Sequence, residues 1–122
     1  MPLVYEELSY QIRGALYEVF NTLGPGFREE TYKLAVVNEL QQRGIPIARE
    51  VTFEIKYKDK VVDLYRADIV VDDKVILELK AAVELHPRHS AQLISYLKAS
   101  GLRVGMLVNF GEEKLRIVRK VN

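Results

Sequence analysis

The chain of 122 residues has no cysteine and no tryptophan, and only two histidines and four prolines. Without cysteine there can be no disulfide, cysteine-ligated zinc, iron–sulfur cluster or thiol nucleophile. His86 and His89 alone exclude a histidine-rich metal site. An excess of either charge is also missing: 18 Lys and Arg face 17 Asp and Glu, a net charge of +1. No whole-chain field draws in nucleic acid or an anionic membrane, so any such binding needs a local patch. No apolar run approaches the roughly 20 residues that span a bilayer, and no membrane partner is expected. The first twenty residues carry Glu6 and Glu7 and lack a basic segment followed by an apolar block. They do not read as a signal peptide, which predicts a cytoplasmic protein. What the chain does have is 48% hydrophobic and 29% charged residues. That balance folds, and the length suits a single domain over residues 1–122.

From Tyr5 to Leu23, Leu8, Ile12, Ala15, Leu16, Val19 and Leu23 recur at intervals of three and four, the stripe of an amphipathic helix. Gly24-Pro25-Gly26 ends it. A second helical pattern runs from Phe27 through Tyr32, Leu34, Ala35, Val37 and Leu40 to Gly44. After Pro46 the period falls to two: Val51, Phe53, Ile55 and Tyr57 alternate with polar residues, as in a half-buried strand. Turns at Lys58–Lys60 and Asp72–Lys74 separate two further strands, VVDLYRADIVV and VILELKA, and predict a three-stranded antiparallel meander. Pro87 opens a helix that Gly101 closes. The last two segments read as a buried strand, LRVGMLVNF, and an edge strand, LRIVRKV. The predicted fold is α/β with a mixed sheet.

Two acids and a lysine interrupt otherwise apolar strands: Asp68 in RADIVV, and Glu78 and Lys80 in VILELKAAV. Ionised groups are costly in such positions unless paired or bound to metal. The Glu-x-Lys spacing alone carries little, since Glu54-Ile55-Lys56 and Glu112-Glu113-Lys114 repeat it. The setting carries more. A three-residue loop at Asp72–Lys74 would set position 68 opposite position 78, on one face of the hairpin. Two carboxylates about 5 Å apart repel by roughly 3 kcal/mol at an effective dielectric near 20. Lys80 alone does not balance both, and a hard divalent cation, Mg²⁺ or Mn²⁺, would. The same pattern also suits a structural ion pair or a solvated sheet face. Sharing one face is the geometric condition on which the metal argument depends.

His89, Gln92 and Tyr96 fall at i, i+3 and i+7 of the third helix, a polar ridge beside the stripe of Leu93, Ile94 and Leu97. Glu29 and Tyr32 are three apart at the start of the second helix. Glutamate there is also what the helix dipole favours by itself.

Gly26-x-x-Glu29-x-x-Tyr32 resembles the signature of the GxxExxY proteins, and the resemblance extends through LGPGF, YRAD, LELKA, HSAQLISYLKASGL and GMLVNFG. That family is grouped with the PD-(D/E)xK nuclease superfamily. The resemblance implies a restriction-endonuclease-like αβββαβ core, preceded here by an extra helix. It implies that Asp68 and Glu78 bind metal together with the backbone carbonyl of Leu79, that Lys80 is catalytic, and that Glu29 is an additional acid. Gln92 and Tyr96 are similar to the QxxxY pair of RecB-like nucleases, which implies that they position substrate beside His89 and Tyr32. Ala67 stands where the superfamily pattern has proline.

The implied activity is Mg²⁺- or Mn²⁺-dependent hydrolysis of phosphodiester bonds in nucleic acid, DNA favoured over RNA. From Pro46 onward the chain holds 14 Lys and Arg against 11 Asp and Glu, a mildly basic half. Arg66, Lys114, Arg116, Arg119 and Lys120 are candidates for nucleic-acid backbone contacts, although charge on an edge strand also blocks aggregation. The reading from a different class is a catalytically silent nuclease-fold module that binds nucleic acid or protein, in which case a homodimer would help form the binding wall.

Overall fold

A computed structural model describes residues 4–122. The element order is α1 (Glu6–Leu23), α2 (Glu29–Gln42), β1 (Ile47–Tyr57), β2 (Lys60–Val71), β3 (Val75–Lys80), α3 (Pro87–Ser100), β4 (Val104–Asn109) and β5 (Arg116–Val121). All eight elements occur where periodicity predicts them. The second helix starts two residues later than predicted, because Phe27 and Arg28 belong to the loop.

The strands form one sheet in the order β1-β2-β3-β4-β5. β1, β2 and β3 are the antiparallel meander, β3 and β4 run parallel, and β5 returns antiparallel. The parallel step needs a crossover, and α3 supplies it. The two hairpin turns place Lys58, Asp59, Asp72 and Asp73 at positive φ. Consecutive positive-φ residues make the turn whose twist matches paired strands.

Each face of the sheet is covered. Ile12, Leu16 and Val19 of α1 and Tyr32, Val36 and Leu40 of α2 pack with Ile69, Val71, Leu77 and Leu79 on one face. On the other, Leu93 and Leu97 of α3 pack with Tyr65, Ala67, Val70, Ile76 and Leu107. α3 lies very close to the sheet: a Cβ on Gly105 would sit 2.7 Å from Leu93 Cδ1. β4 is buried throughout because it has neighbours on both sides and helices on both faces.

One irregularity decides the rest of the molecule. Tyr65 and Ala67 face the α3 layer, yet Ile69 and Val71, also odd-numbered, face the layer of α1 and α2. Alternation is therefore inverted at Asp68. β1 inverts at the same level, where Glu50 has φ 52 and the pairing skips from Arg49↔Ile69 to Val51↔Ala67. On the other side of β2 the ladder to β3 ends at Ile69↔Leu77, one step short of Asp68 and Glu78. The strands part there.

Candidate active site

Where β2 and β3 part, side chains replace the missing ladder bonds. Asp68 Oδ2 accepts the backbone N–H of Leu79 at 2.9 Å, and Glu78 Oε1 lies 3.4 Å from the backbone N of Asp68. The two acids clasp each other's strand. They meet at a seam rather than standing side by side on one face: Asp68 also reaches towards α2, and Glu78 lies beneath α3. The predicted opposition of 68 and 78 is present in register, and the predicted common face is replaced by convergence from two sides. The cause is the inversion at Asp68. The shared face that the sequence reading requires for a common metal is therefore absent: Asp68 turns to the α2 side and Glu78 to the α3 side, and the two approach only across the parted strands.

The Glu78 carboxyl is pushed up to about 7, first by burial and then by the charge of Asp68; hydrogen bonds from Tyr65 and the Asp68 backbone, and the charge of Lys80, oppose the shift. Tyr65 donates its hydroxyl to Glu78 Oε1. Its own ionisation is strongly suppressed by burial and by Glu78. The Tyr65 ring is stacked between Phe53, at 6.1 Å, and Tyr96, at 3.6 Å between centroids. Sequence reasoning missed Tyr65, although it sits at i−3 from Asp68 on the same strand, because a tyrosine in an apolar strand reads as core.

A cavity of about 290 Å³ opens between the sheet and α3, lined among others by Tyr65, Arg66, Glu78, Lys80, His89, Gln92 and Tyr96. The fold thus gathers the Glu-x-Lys acid and lysine with the whole polar ridge of α3. It adds Arg66 from β2. Lys80 has no salt-bridge partner among the described residues. The backbone beyond it is fixed: Phe110 N–H donates to Lys80 O at 2.9 Å, and the buried Asn109 clasps Ala82 through both amide atoms at 2.9 Å.

His89 doubles as a cap of α3. Its Nδ1 accepts the backbone N–H of His86 at 3.2 Å, which assigns the proton of the neutral ring to Nε2. Burial, then the charges of Lys80, His86 and Arg88, hold its pKa below the usual imidazole value. A neutral ring with a donor at Nε2 suits an anionic oxygen.

Glu29 and Asp68 lie on the α2 side of the seam, where Lys33 joins them. Burial alone would lower the Lys33 pKa, but hydrogen bonds and charge from Asp68 and Glu29 outweigh it and raise it. Lys33 is the second residue that the sequence did not disclose.

Other predicted residues are placed away from the cavity. Tyr32 is fully buried, stacked on Phe110 at 4.5 Å. Its hydroxyl donates to Gly24 O at 2.5 Å and accepts Phe27 N–H at 3.2 Å, so it holds the loop that precedes Glu29. Arg116 on β5 pairs with Glu112 at 2.9 Å, and Arg119 donates to the carbonyl of Val4. Lys114 lies beside Arg13 and Tyr17 of α1, and Lys120 lies on β5, two strands from β3. None of these four basic residues lines the cavity.

Two carboxylates converging on a seam, a lysine one residue beyond the second, and a mixed five-stranded sheet between helices define a restriction-endonuclease-like fold with an acid–acid–lysine site. The chain belongs to the PD-(D/E)XK nuclease superfamily, whose family model matches residues 6–121. Two solved structures are similar in fold. SSO0001 superposes with a TM-score of 0.58 at 20% identity, over 76% of this chain and 49% of its own. The chain therefore spans about half the length of that protein. An alkaline exonuclease from Laribacter hongkongensis, LHK-Exo, superposes with a TM-score of 0.57 at 10% identity, over 100% of this chain and 72% of its own. No curated protein sequence matches the chain significantly. No helix among the described residues is long and apolar enough to cross a membrane.

PD-(D/E)XK nucleases generally use a divalent metal ion. Among the described residues there is no cluster of three or more His, Asp or Glu side chains able to form an all-protein cage. Mg²⁺ does not require one: it is commonly held by one or two carboxylates, with water and substrate phosphate completing the shell. Asp68 and Glu78 are hard oxygen donors, and Glu78 is buried beside the charge of Asp68. The residues fit.

Proposed function

We propose that the chain is a metal-dependent nuclease that hydrolyses phosphodiester bonds of nucleic acid, DNA in preference to RNA. The observation that carries this reading is the seam itself, where Asp68 and Glu78 exchange hydrogen bonds with each other's strand beside Lys80. The DNA preference rests on the resemblance to RecB-like nucleases, and the narrower GxxExxY assignment on Gly26, Glu29 and Tyr32.

Asp68, Glu78 and the Leu79 carbonyl would hold Mg²⁺ or Mn²⁺, with Glu29 as a further acid. A divalent ion there supplies Lewis-acid polarisation of the scissile phosphate and a lowered pKa for the attacking water. Lys80, unpaired and beside Glu78, stabilises negative charge that grows on the phosphoryl oxygens. Its backbone is held by the Phe110 N–H. His89 Nε2–H, Gln92 and Arg66 donate to phosphate or base, and Tyr96 presents its ring, braced against Tyr65. Tyr32 acts indirectly, by holding the loop that leads to Glu29.

The test is cleavage of labelled single- and double-stranded DNA and RNA with Mg²⁺, Mn²⁺ or EDTA, comparing the wild type with Lys80→Ala and Asp68→Ala. Metal-dependent cleavage absent from both variants is the expected result. No cleavage by folded wild type with any substrate transfers the reading to a nucleic-acid- or protein-binding module. Cleavage that persists in both variants marks a contaminant.

A further inference from the structure

Lys33 Nζ lies 3.0 Å from Asp68 Oδ1 and 3.3 Å from Glu29 Oε2. Its side chain is only 20% exposed and that of Asp68 only 18%. The other Asp68 oxygen is committed to Leu79 N–H at 2.9 Å. Oδ1 is thus the less encumbered of the two oxygens for a cation, and it is the one Lys33 already holds. Three carboxylates, Glu29, Asp68 and Glu78, stand against the two ammonium groups of Lys33 and Lys80, a formal charge of −1. Without Lys33 the charge would be −2, matched to one divalent ion. Two cations on one carboxylate oxygen repel each other, so ammonium and metal compete for it.

We infer that Lys33 is a resident counter-ion of the acid cluster, which a divalent cation displaces from Asp68 on binding. The inference rests on the metal-dependent reading above and adds to it a determinant of metal affinity. The helix makes the exchange feasible. Glu29 and Lys33 are an i, i+4 pair on α2, and the Glu29 side chain is 41% exposed. A four-carbon stem lets the ammonium leave Asp68 while keeping Glu29 as its partner. Lys33 is then neither a ligand nor a group that touches substrate. It sets how much divalent ion the site needs, and it neutralises the cluster when none is bound.

The experiment is Mn²⁺ binding to the metal-stripped chain, measured by loss of the free-ion electron paramagnetic resonance signal. The proteins are the wild type, Lys33→Gln, Lys33→Met and Lys33→Arg, each checked for folding by circular dichroism. Lys33→Met keeps the apolar stem should the glutamine variant fold poorly. The expected result is a Kd at least tenfold lower for the Gln and Met variants, about 1.4 kcal/mol, with Lys33→Arg close to wild type. Unchanged or weaker binding by the neutral variants, in a protein whose wild type binds Mn²⁺, overturns the counter-ion role and leaves the metal-dependent reading standing. Tightening by Lys33→Arg equal to that of the neutral variants overturns it too, since charge would not be the cause. No Mn²⁺ binding by any folded form overturns both.

Discussion

Replacing Glu78 with glutamine separates the cost of the buried charge from every other property of the site. The Glu78 carboxyl is raised from 4.5 to about 7, mainly by burial and by Asp68. At about 1.4 kcal/mol for each pKa unit, that is about 3 kcal/mol. The sign follows from which state binds the proton. Below about 4.5 the carboxyl is protonated in both folded and unfolded chains, and its contribution to stability is intact. Between 4.5 and 7 the unfolded chain releases the proton and the folded chain keeps it, so stability falls as pH rises. Above 7 the loss is complete. Glutamine mimics the protonated acid at every pH and retains an oxygen to accept the Tyr65 hydroxyl. In EDTA, Glu78→Gln should therefore match wild type near pH 4.5 and exceed it by about 3 kcal/mol at pH 8. For a domain of this size that is on the order of 10 °C in Tm. Urea denaturation at pH 4.5, 6 and 8 reads the difference directly. Millimolar Mg²⁺ should then narrow the gap at pH 8 by stabilising wild type more than the variant, and the variant should not cleave. A difference that does not grow with pH, or a glutamine variant less stable than wild type at pH 8, would refute the reasoning.

Three further outcomes follow from the same geometry. Lys80→Met should lower cleavage by about 10²- to 10³-fold, as for removal of one preorganised electrostatic group, while leaving Mn²⁺ affinity within a few-fold; single-turnover kinetics beside the binding assay separates the two. Tyr65→Phe removes the hydroxyl that orients Glu78 and should weaken Mn²⁺ binding about tenfold, as loss of a partner that orients a metal ligand does, with the Phe53 and Tyr96 stacking retained; equal affinity would show that Tyr65 is merely core. Gly111→Ala puts a Cβ against the backbone of Ala81 and Ala82. Relieving that overlap moves main chain and should cost about 2 kcal/mol or more, read by urea denaturation; unchanged stability would show that the segment after Lys80 shifts freely.

The order and type of the elements were legible in the sequence because each rests on local physics. Period 3.6 in α1, period 2 in β1, the Gly24-Pro25-Gly26 break and Pro87 at a helix start need no knowledge of what packs against them. The register of the β2–β3 hairpin, Val71↔Val75 to Ile69↔Leu77, follows from the Asp72–Lys74 turn, and its continuation brings Asp68 level with Glu78. The placing of His89, Gln92 and Tyr96 on one ridge of α3 follows from their i, i+3, i+7 spacing, and the structure points that ridge into the cavity of Glu78 and Lys80.

What the sequence could not disclose lies at Asp68. Tyr65, Ala67, Ile69 and Val71 read as one uninterrupted alternation, and only the sheet reveals that the first pair faces α3 and the second faces α1 and α2. The inversion is shared with β1 through Glu50, and no local pattern in either strand records a twist that two strands make together. Lys33 and Tyr65 are hidden for a related reason. Each has an ordinary local place, a helix lysine four residues from a glutamate and a tyrosine in an apolar strand. Each gains its partner, Asp68 or Glu78, only when separate elements are brought into contact. Local periodicity determines which elements form and which residues share a face within one of them. Tertiary packing alone decides which charges from different elements meet, because Coulomb energy depends on distances that sequence separation does not encode.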